Sequence, residues 1–244
     1  MKKLLILHGW GSNANRWQKF KEILEKKDIE VLVPTLPGFG DEKPPEKVWG
    51  VEEYEDWILD FVRQKGWENF NLLGHSFGGG LATKIAADFP QKIEKFILCA
   101  PAIIRERSRR IVALEKISKT GKKILNKIRN KKISDFFLKS FYRLIGAEDY
   151  YRSEGVMKEV IKKIFSQDLS SNLKKINLPT LILWGAKDEA VPLRTAYHIK
   201  GEIEKGIIDD FHKVKLIIFL NAGHCLNTEV PEKIAAQVFN FLFC

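Results

Sequence analysis

Six short, predominantly apolar runs recur along the chain, at Leu4–Leu7, Val31–Val33, Phe70–Leu73, Phe96–Cys99, Leu181–Trp184 and Leu216–Leu220. Each has the length of a strand and is followed by turn residues and then by a segment with helical periodicity. Apolar residues that run on consecutively, instead of alternating with polar ones, mark strands covered on both faces. Such strands alternating with helices predict an α/β protein with a mostly parallel, doubly wound sheet.

The pattern breaks after Pro101 and resumes at Leu178-Pro179-Thr180-Leu181. In between, Ile111, Leu114, Ile117, Ile124, Leu125 and Ile128 recur at spacings of three, four and seven, the apolar stripe of helices. This predicts a core formed by residues 1–101 and 171–244, with a helical lid inserted over 102–170. The charge changes as well. From Arg105 to Arg143 fourteen Lys or Arg stand against three acids, so the insert carries the whole net charge of +10 and the remainder is close to neutral.

The chain has 244 residues, 45% hydrophobic and 11% aromatic, which suits one sizeable core with an insertion and excludes wholesale disorder. Met1-Lys2-Lys3 precedes Leu4–Leu7 as charges precede the apolar part of a secretory leader, but that part needs about 7–15 residues. We read it as a buried first strand. No stretch approaches the ~20 apolar residues of a membrane span. Cys99, Cys225 and Cys244 lack the paired spacing of a disulfide framework or a zinc site, so a reducing cytoplasm is the expected location.

Candidate chemistry begins at Phe70-Asn71-Leu72-Leu73-Gly74-His75-Ser76-Phe77-Gly78-Gly79-Gly80, which places G-x-S-x-G directly after a strand and before a helical segment. A sharp strand-to-helix turn of this kind forces the serine into a strained conformation, tolerated when its neighbours, here Gly74 and Gly78, are small. It lifts the hydroxyl clear of the sheet at a helix N-terminus, where free N–H groups favour developing negative charge. The alternative is a glycine-rich turn that merely packs.

Two further residues fall where such a serine needs them. Asp188, in Trp184-Gly185-Ala186-Lys187-Asp188-Glu189, follows a strand, and so does His224, in Leu220-Asn221-Ala222-Gly223-His224. Catalytic groups of open parallel sheets gather outside the carboxyl ends of the strands, so Ser76, Asp188 and His224 are expected at one edge, in the chain order serine, acid, histidine. Singly, the aspartate would read as a helix cap and the histidine as a structural residue. Glu189 competes with Asp188 for the role of acid. The loop Leu7-His8-Gly9-Trp10-Gly11-Ser12-Asn13 can offer a backbone N–H to an oxyanion, which makes the amides of Trp10 and Phe77 the expected pair. His8 is expected to be a structural hydrogen bonder in that loop.

His8-Gly9-Trp10-Gly11, Gly74-His75-Ser76-Phe77-Gly78-Gly79, Trp184-Gly185-Ala186-Lys187-Asp188 and Ala222-Gly223-His224 together make the chain resemble the α/β-hydrolase superfamily, over its whole length apart from the basic insert. Within that superfamily it is similar to small carboxylesterases, pimeloyl-carrier-protein methyl ester esterases and carbon–carbon bond (meta-cleavage product) hydrolases. His8–Gly11 with Asn13 and Trp17 is especially similar to the pimeloyl esterases, which often have Trp where this chain has His75. Dehalogenases and epoxide hydrolases of the same superfamily carry Asp as nucleophile, and Ser76 sets this chain apart from both.

The resemblance and the residues imply the same activity. Ser76 attacks the carbonyl of a small or medium ester or a lactone, His224 takes its proton, Asp188 orients His224, and water hydrolyses the acyl-enzyme. The chemistry needs neither metal nor organic cofactor. A carbon–carbon bond hydrolase and a slow or non-catalytic ligand receptor on the same scaffold are the alternatives. The basic insert reads as a solvated helical face, as a docking surface for an acidic carrier protein, or as a helix resting on an anionic surface. No motif of specific nucleic-acid binding accompanies the charge.

Overall fold

The structure, a computed structural model, describes residues 1–103, 153–208 and 213–243. Its centre is a six-stranded sheet of β1 (Lys2–Leu7), β2 (Ile29–Leu32), β3 (Phe70–His75), β4 (Ile93–Cys99), β5 (Thr180–Gly185) and β6 (Val214–Phe219), in the order β2-β1-β3-β4-β5-β6. Every pairing is parallel. All six apolar runs therefore form strands, as the pattern predicts. Val33 and Leu220 are departures: β2 ends at Leu32 and β6 at Phe219, and Leu220 lies in the turn with 74% of its surface exposed.

Successive strand residues point to opposite faces, and the helices cover both. On one face Leu5, Leu7, Leu72, Phe96, Leu98, Ile182 and Trp184 pack with α2 (Val51–Gln64), α3 (Phe77–Asp88), α4 (Gly155–Ser166) and α6 (Arg194–Glu204), which follows the short α5 (Ser170–Leu173). On the other, Leu4, Ile6, Leu73, Ile97, Leu181 and Leu183 pack with α1 (Gln18–Glu25) and α8 (Pro231–Phe243), which follows the short α7 (Leu226–Glu229). The buried stripe of α2, Val51, Tyr54, Ile58 and Val62, has the three- and four-residue steps of an amphipathic helix. β3 and β5 are buried throughout, whereas β6, at the sheet edge, is only partly covered although its run is equally apolar. Among the described residues no helix is long and apolar enough to cross a membrane.

Leaving β1, the chain runs to the β2 edge and then returns to the far side of β1 at β3. The connections after β1 and β3 thus diverge, opening a crevice at the carboxyl ends of these two strands.

Most of the expected lid, with its basic stretch and the aromatic residues Phe136, Phe137, Phe141, Tyr142, Tyr150 and Tyr151, lies outside the described residues. Its last part is α4, which docks on the start of α2. Lys163 pairs with Glu53 at 2.8 Å, and Gln167 Oε1 accepts the Val51 N–H at 2.9 Å. Met157 seats its sulfur over Gly38, where a Cβ would lie 2.3 Å from Sδ.

Candidate active site

β3 ends at His75, and Ser76 follows with φ 51° and ψ −117° before α3 begins at Phe77. A non-glycine residue held there stores about 1–3 kcal/mol of strain and persists only if its surroundings insist. They do so through the main chain. The Ser76 N–H donates to the Cys99 carbonyl at 3.2 Å, and the Ser76 carbonyl accepts the N–H groups of Gly79 (2.9 Å), Gly80 (3.3 Å) and Ala102 (2.9 Å). Gly74 makes room for the turn, since a Cβ on it would lie 2.5 Å from the Gly78 carbonyl oxygen. As the first amide of α3, Phe77 N–H has no intrahelical partner.

Asp188 lies beyond β5 and His224 beyond β6, both at the same sheet edge as Ser76. His224 Nδ1 is 2.8 Å from Asp188 Oδ2, and the other oxygen, Oδ1, accepts the N–H groups of Ala190 (2.9 Å) and Val191 (2.8 Å). Both carboxylate oxygens are thereby engaged and the carboxylate cannot swing. With Nδ1–H donating to Asp188, a neutral His224 presents the lone pair of Nε2. Among the described residues no hydrogen bond joins the His224 ring to Ser76 Oγ. Glu189 is exposed, and the partner of the imidazole is Asp188.

In the loop after β1, buried His8 accepts the Leu36 N–H on Nε2 at 2.9 Å, and its Nδ1 lies 2.8 Å from the Gly9 carbonyl. Burial holds its pKa below the ordinary histidine value, which keeps the accepting lone pair free. His8 is the structural hydrogen bonder expected of it. The ring of Trp10 stands edge-on to Phe77 (5.2 Å between centroids) and Phe39 (4.8 Å), so the two residues expected to supply oxyanion amides are packed against each other. Beside Phe77 a narrow cleft runs between α2, α3 and α4, lined by Val51, Leu81, Ile164, Gln167 and Leu169.

Two neighbours of His224 escape the sequence reading. His75 is buried, and its Nε2 lies 3.0 Å from the His224 carbonyl oxygen. Burial, reinforced by the nearby His224 ring, pushes its pKa down to about 3, so it stays neutral. Glu229 accepts the Gly223 N–H at 2.5 Å and the Cys225 N–H at 3.0 Å. The available signal is an acid four residues beyond Cys225, closing the single turn of α7 and reaching back to free amides as a capping carboxylate does. Among the described residues no cluster of three or more His, Cys, Asp or Glu is arranged to hold a metal ion.

Comparison with known proteins identifies the fold. The family described as "alpha/beta hydrolase fold" matches residues 2–148. A serine hydrolase-like protein of Dictyostelium discoideum is 36% identical over 98 residues, 39% of this chain and 27% of that one, so the chain spans about a quarter of that relative's length. The uncharacterized hydrolase YugF of Bacillus subtilis is 24% identical over 257 aligned positions, which cover 98% of this chain and 89% of that one. Among solved structures, an esterase from Exiguobacterium antarcticum superimposes with a TM-score of 0.73 at 20% identity, covering all of this chain and 92% of the esterase. A parallel sheet, a strained serine elbow after its third strand and a family match over more than half its length make this chain a member of the alpha/beta hydrolase fold family.

Proposed function

We propose that the protein is a serine hydrolase that cleaves small or medium carboxylic esters or lactones through an acyl-enzyme on Ser76. The observation that carries this reading is the His224–Asp188 hydrogen bond at the same sheet edge as the strained Ser76. Asp188 fixes the tautomer in which Nε2 is the base. On substrate binding Nε2 takes the Ser76 proton as Oγ attacks the carbonyl, and the amides of Trp10 and Phe77 receive the oxyanion. His224 then returns the proton to the leaving alcohol, and water repeats the sequence on the acyl-enzyme. Hydrogen bonds of a catalytic serine are commonly loose in the free enzyme and tighten around substrate.

Nothing in this cycle requires a metal or an organic cofactor.

Hydrolysis of a panel of p-nitrophenyl esters and lactones, with Ser76→Ala as control, tests the proposal. Turnover that falls by at least about 10³-fold in the variant supports it. Turnover by the wild type that survives the substitution rejects it. Absence of any turnover favours a ligand receptor on this scaffold, and much faster cleavage of a vinylogous diketone than of any ester favours a carbon–carbon bond hydrolase.

A further inference from the structure

We infer that Glu229 and His75 are positioning residues for His224, holding its peptide from two sides so that the imidazole is aimed by the backbone as well as by Asp188. The inference rests on the reading of His224 as the base. Three consecutive residues have a main-chain group in the grip of a side chain. Glu229 Oε2 takes the N–H of Gly223, Glu229 Oε1 takes the N–H of Cys225, and His75 Nε2 takes the carbonyl of His224 between them. One carboxylate thus spans the residues on either side of the histidine. Gly223 leaves that approach unhindered: a Cβ there would lie 3.2 Å from Glu229 Oε1, a few tenths of an ångström too close.

The two anchors differ in character. Glu229 is exposed and approaches from solvent, while His75 is buried beneath the loop. A carbonyl can only accept, so Nε2 of His75 must carry the proton, and a ring that stays neutral has that one N–H to give. His75 is also the last residue of β3, directly before Ser76. Its bond reaches a residue 149 positions away, past β4 and β5, and ties the elbow to the loop that carries the base. The following turn is moored as well, since Asn227 Nδ2 donates to the Arg16 carbonyl at 2.9 Å. Asp188 fixes the imidazole at one point, through Nδ1. A ring fixed at Nδ1 alone can still pivot with its own backbone, and a displacement of about 1 Å at the reacting atom costs on the order of 10²-fold in rate.

The test uses the full chain, p-nitrophenyl acetate turnover, and the rate at which a fluorophosphonate labels Ser76. Glu229→Ala and His75→Phe are each expected to lower kcat and the labelling rate by about 10- to 10²-fold, with KM within about twofold of wild type. His75→Gln keeps a donor at similar reach and is expected to recover most of its loss, whereas Glu229→Gln keeps one acceptor oxygen, turns its NH2 toward the other amide, and is expected to recover only part. Wild-type kcat in Glu229→Ala and His75→Phe overturns the inference, as do glutamine variants no better than Ala or Phe, or a loss that appears in KM alone. Should His75→Phe fail to fold, the Glu229 pair decides by the same criteria. If instead the wild type is not labelled at Ser76 and does not turn over, it is the hydrolase reading that falls, and the inference with it.

Discussion

Gly78 sits against the end of β1 so closely that a Cβ on it would lie 2.3 Å from the carbonyl oxygen of Leu7 and 2.6 Å from that of His8. Both obstacles are backbone, one in a central strand and the other at the start of the loop that carries Trp10, so neither can step aside. Gly78→Ala is therefore expected to cost about 1–3 kcal/mol or more, as overpacking does, and to push α3 with the Phe77 amide away from the loop. Urea unfolding measures the first effect. A fall in kcat that exceeds the fraction of chain unfolded measures the second.

Asp188→Asn poses a conflict that the geometry makes explicit. Oδ2 receives His224 Nδ1–H and Oδ1 receives two amides, so the carboxamide must turn its NH2 toward one set of donors. Turned toward the amides, it loses both bonds. Turned toward His224, it forces the proton onto Nε2 and removes the lone pair that takes the serine proton. The expected result is a kcat lower by on the order of 10⁴-fold with the fold intact. Steady-state kinetics beside a thermal melt checks it.

Acid is expected to destabilise the protein well above the carboxylate range. His75 in the folded chain resists protonation down to about pH 3, and burial lowers His8 as well, whereas in the unfolded chain both take up protons near the ordinary value of 6.5. Below that value the unfolded state binds the extra protons, so stability is full above about pH 6.5 and falls as the pH drops. The slope is at most about 1.4 kcal/mol per pH unit for each histidine. His75→Gln should flatten the fall between pH 7 and 5. Equal slopes for variant and wild type in urea titrations at those two pH values would count against this account.

Between α2 and α3 lies an ion pair whose carboxylate is buried and whose lysine is partly exposed. Lys84 Nζ lies 3.1 Å from Glu55 Oε2 and also pairs with Asp88, while Glu55 Oε1 is buried without a partner among the described residues. Burial raises the pKa of Glu55, and the lysine opposes that rise. Lys84→Met strands the glutamate and is expected to cost about 1–3 kcal/mol, whereas Lys84→Met with Glu55→Leu should cost less, because no charge is then left buried. A double-mutant cycle in urea measures the difference.

The strands were legible because a strand buried on both faces must be apolar at successive positions, as in Leu4–Leu7 and Leu181–Trp184. Their order in the sheet was not, since β4 and β5 carry the same kind of run and nothing in either names its neighbour. Ser76, Asp188 and His224 could be picked out because each follows a strand in a short motif. Glu229 and His75 could not. They act through bonds from a side chain to a distant or adjacent backbone group, and such bonds leave no periodicity in the sequence. The docking of α4 through Gln167 and Lys163 was hidden for the same reason: each reaches a partner more than a hundred residues away.

The main-chain ties around Ser76 have a practical consequence. Among the described residues, every bond that keeps this residue in its unusual conformation is made by its N–H and carbonyl, none by its hydroxyl. On the proposed reading of Ser76 as nucleophile, exchanging it for alanine disarms the site without reshaping it, leaving a trap that admits its cargo without consuming it. A small molecule retained by the alanine variant and absent from the wild type, read out by mass spectrometry, is then the first candidate to assay as substrate.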